Sequence, residues 1–111
     1  MLYIYILYSS GYDHYYIGHT DDVIRRLNEH NHPEVNTKFT SKYLPWELRL
    51  SFAVSAKRGE TIRVERFIKN QKSRLFVEKL ISEKGNEDYF ETFVKNVLKK
   101  KLVRAIPRTR D

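Results

Sequence analysis

Leu2-Tyr3-Ile4-Tyr5-Ile6-Leu7-Tyr8 is apolar or aromatic at every position and ends at Ser9-Ser10-Gly11. A strand with one buried face alternates apolar and polar residues, whereas an unbroken apolar run has both faces covered. The stretch therefore predicts a central β-strand. Tyr15 to His19 predicts a second strand, and the turn-like residues between the two predict an antiparallel hairpin. Gly18, inside the second strand, predicts a bulge or a close approach of another group to the backbone.

Outward from this hairpin, Thr20-Asp21-Asp22 opens a helix. Thr20 is expected to cap it, and the two aspartates suit the positive end of its dipole. Val23, Ile24 and Leu27 give it an apolar stripe through about His30, and His32-Pro33 stops it. A polar loop with Asn36, Thr37, Lys38, Thr40, Ser41 and Lys42 follows. Trp46, Leu48, Leu50, Phe52 and Val54 alternate with Glu47, Arg49, Ser51 and Ala53, which predicts a third strand of the same sheet with one buried face. A helix is predicted from about Gly59 to about Lys72, and Ser73 is placed to cap another that ends at Gly85. Asn86-Glu87-Asp88 starts a last helix with the stripe Phe90, Phe93, Val94, Val97, Leu98 and Leu102, and Pro107 lies in a basic tail. The order β-β-α-β-α-α, plus an extra C-terminal helix, predicts an α+β fold: a small three-stranded mixed or antiparallel sheet flanked by helices. Residues 1–85 form the main body of this reading, and residues 86–111 a helix and tail of the same single domain.

The 111 residues give room for one domain with a modest core. The formal net charge is +7, from 21 Lys/Arg and 14 Asp/Glu, which favours an anionic partner. Seven of the basic residues lie between Lys95 and Arg110 with no acid among them, so the excess is a property of the C-terminus. Lys99, Lys100 and Lys101 are expected to grip a phosphate backbone, with a solvated helix end as the alternative. The chain has no cysteine, which excludes disulfides and Cys-based zinc modules; a cytoplasmic location is expected. The N-terminal apolar run is too short to span a membrane, and no basic leader or small-residue cleavage site marks a signal peptide. No membrane partner is expected.

Hydrolysing a phosphodiester requires a base to activate water, a cation to stabilise charge on the phosphate, and help for the leaving oxygen. Arg26 and His30 are four apart on the first predicted helix and so share a face. A guanidinium binds phosphate with its planar fork, and an imidazole accepts a proton near neutral pH. The same pair also fits a solvated polar face. Glu65 lies three residues after Ile62 and three before Ile68, within the apolar side of its helix. A carboxylate there is costly unless paired, protonated or bound to a metal. An ion pair with Arg26 or Lys69 and a Mg²⁺ site both stand open. Tyr3, Tyr5, Tyr8, Tyr15 and Tyr16 crowd the hairpin, either as packing residues or, for Tyr5 and Tyr16, as phenols sharing one face if the register allows.

Tyr3-Ile4-Tyr5, Tyr16-Ile17-Gly18, Arg26 eight residues after that glycine, and Glu65 in Glu65-Arg66-Phe67-Ile68-Lys69 together resemble the GIY-YIG endonucleases. The likeness is to the short single-domain bacterial members and to the N-terminal catalytic domain of the nucleotide-excision nuclease subunit. It covers about residues 2 to 83. Each tripeptide alone is a weak signal; the ordered set with its spacings is a strong one. The chain departs from the pattern at Tyr3, where the family name has glycine, and at His19, where the nucleotide-excision subunit has lysine. A later polar residue of the pattern has two candidates, Asn70 and Ser73.

The resemblance implies roles. Glu65 is the ligand of one divalent ion, Mg²⁺ or Mn²⁺; Arg26 contacts the scissile phosphate; Tyr16 is the general base or orients the water; Tyr5 supports the site. His30 falls where members carry histidine or tyrosine in a base or positioning role, so the proton acceptor is open between Tyr16 and His30. An ordinary phenol has a pKa of about 10, so Tyr16 needs help from a cation, whereas His30 needs no shift. Gly18, His19, Arg25 and Lys69 are expected beside the nucleic acid. The expected activity is metal-dependent endonucleolytic cleavage of DNA, with RNA, target structure and pathway (repair or recombination among them) left open, and a monomer favoured. Two other classes compete: an inactive nucleic-acid-binding module of the same fold, and a protein-interaction domain using the apolar face of the C-terminal helix.

Overall fold

Strand β1 (Leu2–Ser9) lies between β2 (His14–Thr20) and β3 (Glu47–Ser55) and is buried along both faces by the layers packed on either side of the sheet. These elements come from a computed structural model that describes residues 1–32, 34 and 39–105, with the backbone alone for residues 39 and 100–105. Both strand pairs are antiparallel and the sheet order is β2-β1-β3, the central position that an unbroken apolar run requires. The remaining elements are α1 (Val23–His30), a 3₁₀ turn (Phe39–Tyr43), α2 (Arg58–Asn70), α3 (Arg74–Ser82) and α4 (Glu87–Ala105). The fold is α+β, with the element order read from the sequence.

Alternate residues of β1 serve two different layers. Ile4 and Ile6 pack with Leu50, Phe52, Val64, Ile68 and Leu80, beneath α2, α3 and α4. Tyr5 and Leu7 pack on the other face with Trp46, Val23, Leu27 and Tyr43, beneath α1 and the 3₁₀ turn. The apolar face of α4 joins the first layer: Phe90, Val94 and Val97 are buried, and the Phe90 ring stacks on Phe52 with centroids 4.5 Å apart. The face that could have sought a protein partner is, as far as Leu98, part of the core.

Three local expectations are corrected. Leu48 and Leu50 do not share a face. A register shift between Ile6 and Leu7 sets Ile6 opposite Leu50 but Leu7 opposite Leu48, so Arg49 is the extra residue of a bulge. Trp46 and Leu48 therefore join Tyr5 and Leu7, while Leu50 and Phe52 join Ile4 and Ile6. Thr20 does not cap α1, because it is the last residue of β2, paired with Tyr3. Asp22 caps instead, accepting from the Arg25 N–H at 3.1 Å, while the Thr20 hydroxyl accepts from the Asp22 N–H at 3.1 Å. Helix α3 ends at Ser82, three residues before Gly85, which takes φ +89° in the turn that follows. Ser73 caps α3, and Asn86 accepts from the Tyr89 N–H at the start of α4, as read. The expected breaker Pro33 and the polar residues Asn36, Thr37 and Lys38 lie outside the described residues, as does Pro107.

Gly18 shows why β2 carries a glycine. It pairs with Tyr5, and a Cβ at this position would sit 2.6 Å from the Tyr5 hydroxyl and 2.7 Å from its Cζ. The Tyr5 ring is 2% exposed and cannot swing away. Gly18→Ala is expected to destabilise the protein by about 1–3 kcal/mol, the usual cost of overpacking a core. Urea denaturation would read this as a lower midpoint, and an unchanged midpoint would show that the ring has room to move.

Candidate functional site

The hairpin register places Tyr5, Leu7, Tyr16 and Gly18 on one face of the sheet, opposite α1. The rings of Tyr5 and Tyr16 lie 6.3 Å apart, and His30, at the end of α1, packs 5.8 Å from the first and 4.9 Å from the second. His30 is 3% exposed. Its Nε2 is 2.9 Å from the Tyr5 hydroxyl, and its Nδ1 is 3.2 Å from the Thr40 hydroxyl in the 3₁₀ turn. Burial, followed by the Arg26 charge, pushes the imidazole pKa down to about 4. The Tyr5 phenol is pushed up to about 12, chiefly by burial and then by Tyr16. This layer is therefore neutral at physiological pH, with a protonated phenol against an unprotonated imidazole.

Arg26 reaches the same phenol from the previous turn of α1, and its charge and hydrogen bond partly offset the upward shift of Tyr5. The neutral imidazole has one N–H and one bare nitrogen, so it donates to one of the two hydroxyls, Tyr5 or Thr40, and accepts from the other. Arg26 and His30 meet around Tyr5, the consequence of their four-residue spacing. The Arg26 side chain remains 37% exposed and pairs with Glu29 at 3.0 Å. Arg26 can turn to a ligand and leave Glu29, itself 35% exposed, in contact with water.

The other half of the site comes from the opposite face of β2. His19, which pairs with Ile4, and Glu65, on the third turn of α2, meet with Nδ1 and Oε1 2.5 Å apart. The second Glu65 oxygen accepts from Lys69 Nζ at 2.6 Å. Arg58 lies 3.0 Å from His19 Nε2, so that nitrogen is the acceptor and Nδ1 carries the proton toward Glu65. The Glu65 side chain is only 15% exposed, as its place on the apolar side of α2 predicts. Lys69 closes the gap between the two halves, since its Nζ also lies 6.0 Å from the centroid of the Tyr16 ring. Glu65 raises the Tyr5 pKa electrostatically, so the carboxylate is felt across the edge of the strand at Gly18.

Among the described residues, no three of His, Cys, Asp and Glu cluster so as to hold a metal ion by themselves. Glu65 offers oxygen donors at the partly open edge, and a divalent ion resting on one carboxylate would complete its shell with water and substrate phosphate. That donor set suits Mg²⁺ or Mn²⁺ better than a metal that demands an all-protein cage.

Other sequence candidates lie further out. Arg25 is exposed and pairs with Asp21 at 3.0 Å. Lys99 is exposed on α4, and the side chains of Lys100 and Lys101 lie outside the described residues. Asn70 is exposed at the end of α2, and Ser73 is engaged as the α3 cap. Two partners were not singled out by sequence reasoning. Thr40 stood among the polar loop residues with nothing to distinguish it. Arg58 had a usable signal, lying seven residues before Glu65 and so two helical turns away on the same face.

No helix among the described residues is long and apolar enough to cross a membrane. No curated protein and no solved structure matches the chain. The family model of the GIY-YIG catalytic domain matches residues 1–81, which hold every strand, α1, α2 and nearly all of α3. The matched span includes Tyr5, Tyr16, Gly18, Arg26 and Glu65, the residues gathered around the edge of β2. The chain belongs to the GIY-YIG family of endonucleases.

Proposed function

We propose that the protein hydrolyses phosphodiester bonds in DNA with the help of one divalent metal ion. The observation that carries this reading is the convergence at the Gly18 edge of β2. A half-exposed phenol, an exposed-edge guanidinium and a nearly buried carboxylate come together there. Arg26 neutralises a phosphate oxygen through its fork. Tyr16, the outer of the two site phenols, orients the attacking water and, having given its own proton to solvent, takes one from that water as a phenolate. Tyr5 holds Arg26 and stays protonated throughout. His30 positions Tyr5 and does not act as the base, because it is buried and its pKa is near 4. Glu65 would hold the ion, which supplies charge stabilisation at the phosphate when bound. His19 and Lys69 orient the carboxylate, and Lys69 also offers its charge to the incoming backbone. Gly18 keeps the edge open, while Arg25 and the C-terminal Lys99, Lys100 and Lys101 add phosphate contacts away from the reacting atoms.

A second reading has its own observation. Both Glu65 oxygens are engaged, with His19 and Lys69, as in a purely structural ion-pair network. A binding module of this family without chemistry would look the same. Glu65→Gln separates the two. The neutral isostere is expected to lower Mg²⁺-dependent cleavage of plasmid and branched DNA by about a hundredfold or more, as loss of a charge-stabilising group does. EDTA should stop the wild type, and circular dichroism should show the variant folded. Unchanged cleavage by the variant would remove Glu65 from the mechanism, and a wild type that binds DNA but never cuts would favour the binding module.

The pH dependence of stability tests the neutral layer. The folded pKa of His30, about 4, lies below its ordinary value of 6.5, so the unfolded chain binds the proton more readily. Its stabilising contribution is complete above pH 6.5 and is lost as pH falls from 6.5 toward 4. In urea titrations the stability gap between wild type and His30→Gln is expected to narrow over that window, by at most about 1.4 kcal/mol per pH unit. A gap that stays constant from pH 7.5 to about pH 4.5 would mean that His30 is charged in the folded protein.

A further inference from the structure

A cleft of about 510 Å³ opens along the outer edge of β2, between that strand, the end of α2 and the start of α3. It shares Tyr16 and Lys69 with the site already described, and extends away from it past His14 and Lys72. Its two sides differ in chemistry. On one, Lys69 and Lys72 are exposed, and Lys72 has no ion-pair partner among the described residues. On the other, Tyr16 and His14 line the cleft, and the rings of Tyr43 and Tyr12 follow beyond its lining. His14 lies two residues along the same face of β2 and stacks on Tyr43, with centroids 4.6 Å apart and planes inclined by 12°. Tyr12 meets Tyr43 edge-on at 5.4 Å and is 58% exposed. Beneath the row, the buried Trp46 lies 6.1 Å from Tyr16, 6.3 Å from His14 and 6.0 Å from Tyr43.

Lysines attract a phosphate backbone whether or not its bases are paired. Aromatic rings are more selective. A duplex hides the faces of its bases in its own stack, while an unpaired base can stack on a tyrosine or histidine. We propose that the cleft and the aromatic row Tyr16–His14–Tyr43–Tyr12 bind an unpaired DNA strand that flanks the bond to be cut. The substrate class is then DNA with unpaired nucleotides beside the scissile phosphate, and not uniform duplex. This inference rests on the nuclease reading for its account of what lies at the Tyr16 end. The backbone runs past Lys69 and Lys72, and successive bases lie on the rings. A packing role accounts for Tyr43 and Trp46, which sit in or against the Tyr5 cluster, but not for Tyr12, whose ring is mostly in solvent.

The test is fluorescence anisotropy with the full chain in EDTA, using a labelled single-stranded oligonucleotide and the duplex of the same sequence. Tyr12→Ala is expected to weaken single-strand binding by about fivefold or more, the low end of base–aromatic stacking, and to leave duplex binding within about twofold. Tyr12→Phe keeps the ring and should bind like the wild type. Lys72→Ala should weaken both DNA forms alike. The proposal is overturned if the single strand does not bind, if Tyr12→Ala leaves its binding within about twofold, or if both forms weaken equally. Cleavage of both substrates by the wild type in Mg²⁺ is measured alongside. Tyr12-dependent binding without any cutting would retain the strand surface and remove the nuclease reading. Cutting that ignores Tyr12 would do the reverse.

Discussion

The Tyr5 ring lies against the backbone of Gly18, and the geometry of the site follows from that contact. A glycine there lets a phenol from the central strand cross over its neighbour and reach the outer edge of the sheet. Buried among Tyr16, His30 and Arg26, the ring becomes the fixed point against which α1 is set. Any side chain at position 18 would collide with the ring that bonds His30. One missing Cβ thus couples the packing of the sheet to the placement of Arg26.

Charge is distributed across the strand edge in a way that suits an anionic ligand. On the α1 face, Tyr5 and His30 are both held neutral by burial, which raises the pKa of an acid and lowers that of a base. They add no competing charge near Arg26. On the α2 face, one carboxylate is surrounded by His19, Lys69 and, through His19, by Arg58. Lys69 and Arg58 outnumber that single acid, so a phosphate approaching the edge meets a positive field.

The edge position of β2 makes this arrangement reachable. In a three-stranded sheet ordered β2-β1-β3, the outer strands have a free side, and β2 presents its own beside α2. Helix α4, beyond the matched family span, packs on α2 and β3, so it supports the helix that carries Glu65. Its buried Phe90, Val94 and Val97 extend the core under Phe52 and Phe67, which ties α2 more firmly than α3 alone would.

Much of this was legible in the residues. The unbroken apolar run predicted the central strand, the Ser73 and Asn86 caps located two helix starts, and Glu65 three residues from both Ile62 and Ile68 announced a nearly buried carboxylate. The ordered tripeptides, Arg26 and Glu65 pointed to the family that the match over residues 1–81 shows. What stayed hidden depends on contacts between residues far apart in the chain. The bulge at Arg49 reverses the face of Leu48 because pairing with β1, and not alternation within β3, decides register. The Asp22 cap replaces Thr20 because β2 runs one pair further than its apolar pattern. Local periodicity and capping chemistry act over a few residues, so the sequence alone determined the elements, their order and the chemical groups available. Protonation and positioning depend on burial and on neighbours from other strands and helices. Only the tertiary structure could decide that His30 is buried against Tyr5 with its pKa pushed down, that His19 faces Glu65, and that Tyr16 opens onto the cleft.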